Sequence, residues 1–175
     1  MKLFLCYHSR YGSIKQYAEW LHEKVGGNLA TIKDLSQYNL AEFDILVFGG
    51  YVHAGKITIR SIVQRNWPDV KHKQVIVFST SGTPPSETAT IQAIFDNSFP
   101  AEIRERLAYF PLMGRMDTAK WKLSDRLLTH VGSWIVKDPD VKQGMVSDVD
   151  GVSQEALQPL VTHIQSLQAA RDHNK

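Results

Sequence analysis

One cysteine in 175 residues leaves no intrachain disulfide, no CxxC pair and no thiolate zinc site within the chain. Cys6 falls in the apolar run Leu3-Phe4-Leu5-Cys6-Tyr7, where a buried core thiol is the expected state. Charge of one sign is equally scarce. Lysine and arginine number 20 against 18 aspartates and glutamates, a formal net charge of +2. That balance lacks the concentrated basic face of a nucleic-acid binder. No stretch approaches the roughly 18 consecutive apolar residues of a membrane span. The apolar run after Lys2 is cut by His8 and is too short for the core of a secretion signal. The expectation is a cytoplasmic protein, with peripheral contact at the inner membrane face left open. The seven histidines, at 8, 22, 53, 72, 130, 163 and 173, show no metal-ligand spacing, and no metal is expected. HExxH, GxSxG, GxGxxG and the P-loop pattern GxxxxGKS/T are all absent, which leaves zinc proteases, serine hydrolases, dinucleotide folds and nucleotide triphosphatases without support.

What is there is ordinary in bulk and patterned in detail. Hydrophobic residues make up 43% and charged residues 22%, as in a globular protein. The length suits one domain over 1–175, with a polar tail at about 171–175. Strand-like and helix-like segments alternate. Lys2 to Tyr7 reads as a strand, and Tyr11 to Val25 as a helix with apolar residues at 14, 17, 18, 21 and 25, ended by Gly26-Gly27. Leu29 to Ile32 reads as a short strand, and Phe43 to Phe48 as a buried one stopping at Gly49-Gly50. Ile57 to Trp67 reads as a helix stopped by Pro68, Gln74 to Phe78 as a strand, Glu87 to Phe95 as a helix and Leu107 to Met113 as a strand. Helical spacing returns at Trp121 to Ile135 and at Ser153 to Ala169, with Ser153 as N-cap. Near-continuous apolar strands separated by helices predict an α/β fold with a parallel sheet covered on both faces. Such sheets bind ligands outside the carboxyl ends of their strands, at the topological switch point.

The first such loop is His8-Ser9-Arg10-Tyr11-Gly12-Ser13-Ile14, and it opens a helix. A helix N-terminus offers unpaired N–H groups and partial positive charge, which suit a phosphate. Ser9 and Ser13 add hydroxyls, Gly12 allows close approach, and Arg10 can add charge. The alternative is a plain strand-to-helix turn with a serine cap.

The segment Ser9-Arg10-Tyr11-Gly12-Ser13-Ile14 resembles the FMN phosphate loop of the flavodoxin family, roughly Thr/Ser-x-Thr-Gly-x-Thr directly after the first strand. Ser9 and Gly12 are kept. Tyr11 and Ile14 replace hydroxyl-bearing threonines, which removes two side-chain contacts and leaves the backbone contacts. The resemblance implies a flavodoxin-like three-layer sandwich, with a five-stranded parallel sheet in order 2-1-3-4-5 and helices on both faces. It also implies FMN as cofactor and two further loops flanking its ring. Gly49 to Lys56 stands where one is expected, with Gly50, Tyr51, Val52, His53, Ala54 and Gly55 as candidates. Ser79 to Pro85 stands where the other is expected, with Ser79, Thr80, Ser81, Gly82 and Thr83. His53 or Lys56 near the N1 and O2 edge of the ring would stabilise the reduced flavin. The alternatives are a solvated loop histidine and a surface charge. The second loop has no aromatic, unlike the electron carriers of the family, which also tend to be strongly acidic.

Within that family the chain is similar to menaquinone-dependent protoporphyrinogen dehydrogenase and related flavodoxin-domain proteins. The similarity rests on Ser9 to Gly12, Gly49 to Lys56, the chain length and the segment Leu107 to Arg126. That segment runs Tyr109-Phe110-Pro111-Leu112-Met113-Gly114-Arg115, then Trp121-Lys122-Leu123-Ser124-Asp125-Arg126. Residues 115–137 can be read as a basic, Trp-bearing stretch resting on an anionic membrane beside a quinone, or as a helix packing on the sheet. Three functions follow as expectations. One is an FMN-dependent oxidoreductase passing electrons between a small organic substrate and a quinone. Another is a flavodoxin serving protein redox partners. The third is a flavin-free binding or regulatory domain. The oligomeric state is left open.

Overall fold

The computed structural model describes residues 1–116 and 149–172. Five parallel strands form its sheet: β1 (Leu3–His8), β2 (Asn28–Thr31), β3 (Ile45–His53), β5 (Gln74–Ser81) and β6 (Leu107–Met113). They lie in the order β2-β1-β3-β5-β6. Counting the parallel strands alone, this is the expected 2-1-3-4-5. β4 (Lys56–Ile57) folds back antiparallel onto β3, and β7 (Arg115–Met116) pairs with β8 (Val149–Asp150) in a separate ribbon. The chain leaves β1 towards β2 and then crosses to β3 on its other side. The switch point therefore lies between the carboxyl ends of β1 and β3.

Alternation of side chains across the pleat supplies both cores. Phe4, Cys6, Leu46, Phe48, Val75 and Val77 face α2 (Arg60–Val70) and α3 (Thr88–Ser98). Leu3, Leu5, Ile45, Val47, Ile76 and Phe78 face α1 (Ser13–Val25) and the final helix, α5 (Gln158–Asp172). With both faces covered, the strands carry apolar residues at consecutive positions. α1 buries Ile14, Tyr17, Ala18 and Leu21 as one stripe. It ends at Gly26, whose φ of 70° and N–H bond to the His22 carbonyl form a glycine cap. Cys6 is fully buried, and burial pushes its thiol up to about 12, which makes it inert at neutral pH.

Several boundaries differ from the sequence expectation. Gly49 and Gly50 do not stop β3; the strand runs on to His53. A Cβ on Gly49 would lie 2.3 Å from Cζ of Phe78, and one on Gly50 would lie 2.9 Å from the backbone nitrogen of Ile59. Both glycines make room for neighbours rather than for a turn. Ile57 belongs to β4, so α2 begins at Arg60. It continues through Pro68 to Val70. Pro68 is exposed, and so is Gln64, whose carbonyl is the one that the proline leaves without a helical donor. β5 extends to Ser81, which places Ser79, Thr80 and Ser81 on a strand. α3 runs to Ser98 and is followed by the short α4 (Ala101–Arg104). Ser153 does cap: its Oγ accepts the N–H groups of Glu155 and Ala156, at 3.1 and 3.4 Å. The capped turn is a 3₁₀ turn, Glu155–Leu157, which leads into α5. Arg171 and Asp172 close that helix. The helix expected over 121–135, and the tract 115–137 beyond Met116, lie outside the described residues.

Candidate functional site

The carboxyl ends of β1, β3 and β5 are adjacent because the register is tight: His8 pairs with Gly50, and Gly50 with Ser79. At the end of β1 the chain turns through Gly12, whose φ is 95° and whose Cβ position has nothing within 4 Å. No side chain of the N-cap residue, Gly12, satisfies the first turn of α1, and no acidic residue lies in that turn. Ser9 Oγ accepts the Lys15 N–H at 3.3 Å. Ser13 Oγ accepts the Arg115 N–H at 2.9 Å, and Ile14 places its side chain in the core. The start of α1 is thus a positively polarised helix end beside open space, capped at its third N–H by Ser9 Oγ and by no side chain of Gly12, the arrangement that receives an anion. The Arg10 guanidinium lies over the Tyr11 ring, 5.3 Å from its centroid.

Aromatic rings continue this edge onto β3. His8 and Tyr51 have ring centroids 5.2 Å apart, and Tyr51 and His53 6.5 Å. Burial, and then the charge of Arg10, hold the His8 imidazole below its ordinary 6.5. The unfolded chain therefore takes up this proton more readily than the folded one. The stability contributed by neutral His8 is complete above 6.5 and declines as pH falls from there through its lower folded-state value. An NMR titration of the His8 ring is expected to give a midpoint below 6.5; a midpoint at or above it contradicts the assignment.

β3 and β4 form a hairpin whose two central residues, Ala54 and Gly55, have φ of 48° and 70°. Positive φ at both positions is the demand of a type I′ turn. The turn sets His53 directly opposite Lys56, both exposed, and Val52 opposite Ile57. Ala54 is the only non-glycine at positive φ among the described residues. Ala54→Asn is expected to stabilise the fold by about 1 kcal/mol, since asparagine tolerates this conformation better. Urea unfolding measures it, and a loss of stability would show that the alanine carries no strain.

The end of β5 is more enclosed than its sequence suggests. Ser79 and Thr80 are buried, and Ser79 Oγ shares a 2.8 Å hydrogen bond with the Tyr109 hydroxyl. Tyr109 stacks on Phe95 at 4.6 Å. Ser81 Oγ accepts the Thr83 N–H at 3.2 Å and donates to the Thr83 carbonyl at 3.1 Å, which shapes the loop through exposed Gly82. The structure therefore brings Ser9 to Ile14, Gly50 to Lys56 and Ser81 to Thr83 to one edge, while the Ser79 side chain turns to Tyr109. Sequence reasoning missed the hydroxyls of Tyr17 and Tyr109. Both sit at apolar-periodic positions, where a tyrosine reads only as bulk.

An open, doubly wound sheet with a helix start at its switch point belongs to the class of α/β domains that bind ligands at the carboxyl edge. The model of the Flavodoxin domain family matches residues 4–142, and the chain belongs to that family. No curated protein matches the sequence. Among solved structures, the WrbA-like flavodoxin from Agrobacterium tumefaciens is 13% identical, with 83% of this chain and 90% of that one covered and a TM-score of 0.45. A flavoprotein in complex with FMN from Lactobacillus acidophilus is 15% identical, covering 64% and 91%, with a TM-score of 0.44. Flavodoxin 2 from Bacillus cereus is 16% identical, covering 67% and 89%, with a TM-score of 0.43. Among the described residues no helix is long and apolar enough to cross a membrane, and no group of histidine, cysteine or acidic residues could hold a metal ion.

Proposed function

We propose that this chain binds FMN at the carboxyl edge of its sheet and acts as an oxidoreductase on a small organic substrate. Its acceptor would be a quinone, as in the protoporphyrinogen dehydrogenase type. The observation that carries the reading is Gly12: a left-handed turn, with open space at its Cβ position, at the start of α1. Membership of the flavodoxin domain family supports it.

The residues present fit the group. The N–H groups of the first turn of α1 would hold the phosphate, with Arg10 contributing charge. Ser9 has its oxygen engaged with Lys15 and keeps its own proton to donate. At the other end, the turn Ala54-Gly55 presents main chain to the ring edge, and His53 and Lys56 stand side by side as donors. Tyr51, half-buried between His8 and His53, supplies an aromatic wall. Bound FMN would supply reversible redox chemistry, and the protein would position and tune it. The loop after β5 carries no aromatic through Pro85, which leaves that side open to a substrate. The net charge of +2 suits a small substrate better than docking on basic redox proteins. A quinone acceptor would bring the protein to a membrane surface through 115–137.

Anaerobic titration of the purified protein with FMN tests the cofactor. Visible flavin bands shifted by binding are expected, and a colourless protein that takes up no FMN sinks the reading. Anaerobic mixing of the loaded protein with protoporphyrinogen and a menaquinone analogue then tests the reaction. Coupled turnover supports the enzyme. Electron exchange with redox proteins and no turnover would make it a carrier.

A further inference from the structure

Two side chains of α1, one turn apart, reach across to main chain on either side of residues 117–148. Ser13 Oγ accepts the Arg115 N–H at 2.9 Å. The Tyr17 hydroxyl donates to the Met113 carbonyl at 3.0 Å, with the Gly151 carbonyl a longer second acceptor at 3.4 Å, and accepts the Ser153 N–H at 3.1 Å. The strands these bonds reach are themselves knitted together. The Gly114 N–H goes to the Ser81 carbonyl at 2.8 Å, and the Gly151 N–H to the Gly114 carbonyl at 3.2 Å. Gly151 packs so closely that a Cβ there would lie 2.5 Å from Met113 Cβ. Ser13 is 4% exposed and Tyr17 fully buried.

We propose that Tyr17 and Ser13 are positioning residues for the phosphate end of the cofactor, clasping the first turn of α1 to the main chain at 113–115 and 151–153. The proposal rests on the FMN reading above. A phenylalanine would fill the same core volume as Tyr17, so packing alone does not account for a hydroxyl placed among main-chain partners. A first turn that starts from a left-handed glycine, with a single 3.3 Å cap from Ser9 Oγ on the Lys15 N–H, is prone to fray. Fraying would scatter the N–H groups that must converge on one phosphate. The clasp holds that turn before the ligand arrives, which is preorganisation. It acts on the phosphate end only, because neither side chain bonds to 51–56 or 82–83 among the described hydrogen bonds.

The test is a split between FMN and riboflavin, which share the ring and differ in the phosphate. Flavin fluorescence quenching is measured for the native chain, Tyr17→Phe and Ser13→Ala. In Tyr17→Phe the Kd for FMN is expected to rise about tenfold, the scale of one lost buried hydrogen bond, while riboflavin binding holds. By reciprocity, FMN but not riboflavin should slow hydrogen exchange at the Arg115 and Ser153 N–H groups of the native chain. Equal weakening of both ligands, or of neither, would make Tyr17 a core residue only and overturn the proposal. Should Tyr17→Phe fail to fold, the same split in Ser13→Ala, with the exchange result, decides. A native chain that takes up no FMN removes the FMN reading and the clasp's role together, an outcome distinct from a native chain that binds while its variants show no split.

Discussion

Gly49→Val is expected to cost the fold about 3 kcal/mol or more, the upper end of overpacking penalties. On a chain of this size that lowers Tm by about 6–12 °C. The cause is geometric. A Cβ on Gly49 would lie 2.3 Å from Cζ and 2.6 Å from Cε1 of Phe78. Phe78 is fully buried in the core beneath α1 and α5, with Ile76 and Leu112 in the same cluster. Its ring has no free end to swing away, so the sheet must part or the ring must leave its rotamer. Gly26→Ala is the matched control. Gly26, in contrast, has nothing within 4 Å of its Cβ position, and only its φ of 70° opposes substitution. It should lose about 1 kcal/mol. The contact itself is isolated by a double-mutant cycle: in a Phe78→Leu background, Gly49→Ala should cost less than it does alone. Urea unfolding of the four chains settles it, and additive costs would show that the ring is not what excludes the side chain.

Gly49 and its neighbour Gly50 mark where sequence reasoning stopped short. The alternation of strands and helices and the covering of the sheet on both faces were legible because they rest on apolar periodicity, which both cores use directly, whereas the strand order came from the resemblance to the flavodoxin family. Gly49-Gly50 reads as a strand stop in any local pattern, since glycine is permissive and common in turns. What it does here depends on Phe78 and Ile59, residues brought alongside only by the sheet and by the start of α2. Pro68 misleads for a related reason. Its effect depends on whether the carbonyl it orphans can meet water, and that is a property of the folded surface. The candidate site was legible in part. Gly12 and Ser9 announce themselves through residue type and position, while the stretch Gly49 to Lys56 reads as a loop and not as the end of β3 and its hairpin. The inward turn of Ser79 towards Tyr109, and the Arg115 N–H bond that occupies Ser13 Oγ, join residues 30 and 102 positions apart. No spacing rule reaches so far.

Gly12→Asp is expected to lower FMN affinity at least a hundredfold, at a cost to the fold of about 1–2 kcal/mol in backbone strain. That strain comes from the φ of 95°, which aspartate tolerates better than most side chains but not as glycine does. The aspartate also stands at the N-cap of α1, where a carboxylate can accept a first-turn N–H and favour the helix dipole. Open space at the Cβ position means that no neighbour has to move. The larger damage falls on the ligand. A carboxylate about 4 Å from a phosphate charge repels it by about 4 kcal/mol at an effective dielectric of 20, a factor near a thousand before salt screening. The same carboxylate takes up N–H groups the phosphate would use. Three comparisons make the cause visible. Gly12→Asn, of the same shape without the charge, should lose much less. Riboflavin, lacking phosphate, should bind the native chain and Gly12→Asp alike. Raising the salt concentration should narrow the gap between Asp and Asn, because screening weakens charge repulsion and not a steric clash. Equal losses in Asp and Asn would mean that bulk at this turn matters and charge does not. No loss in either would place the phosphate elsewhere on the edge, and with it the functional role given to the start of α1.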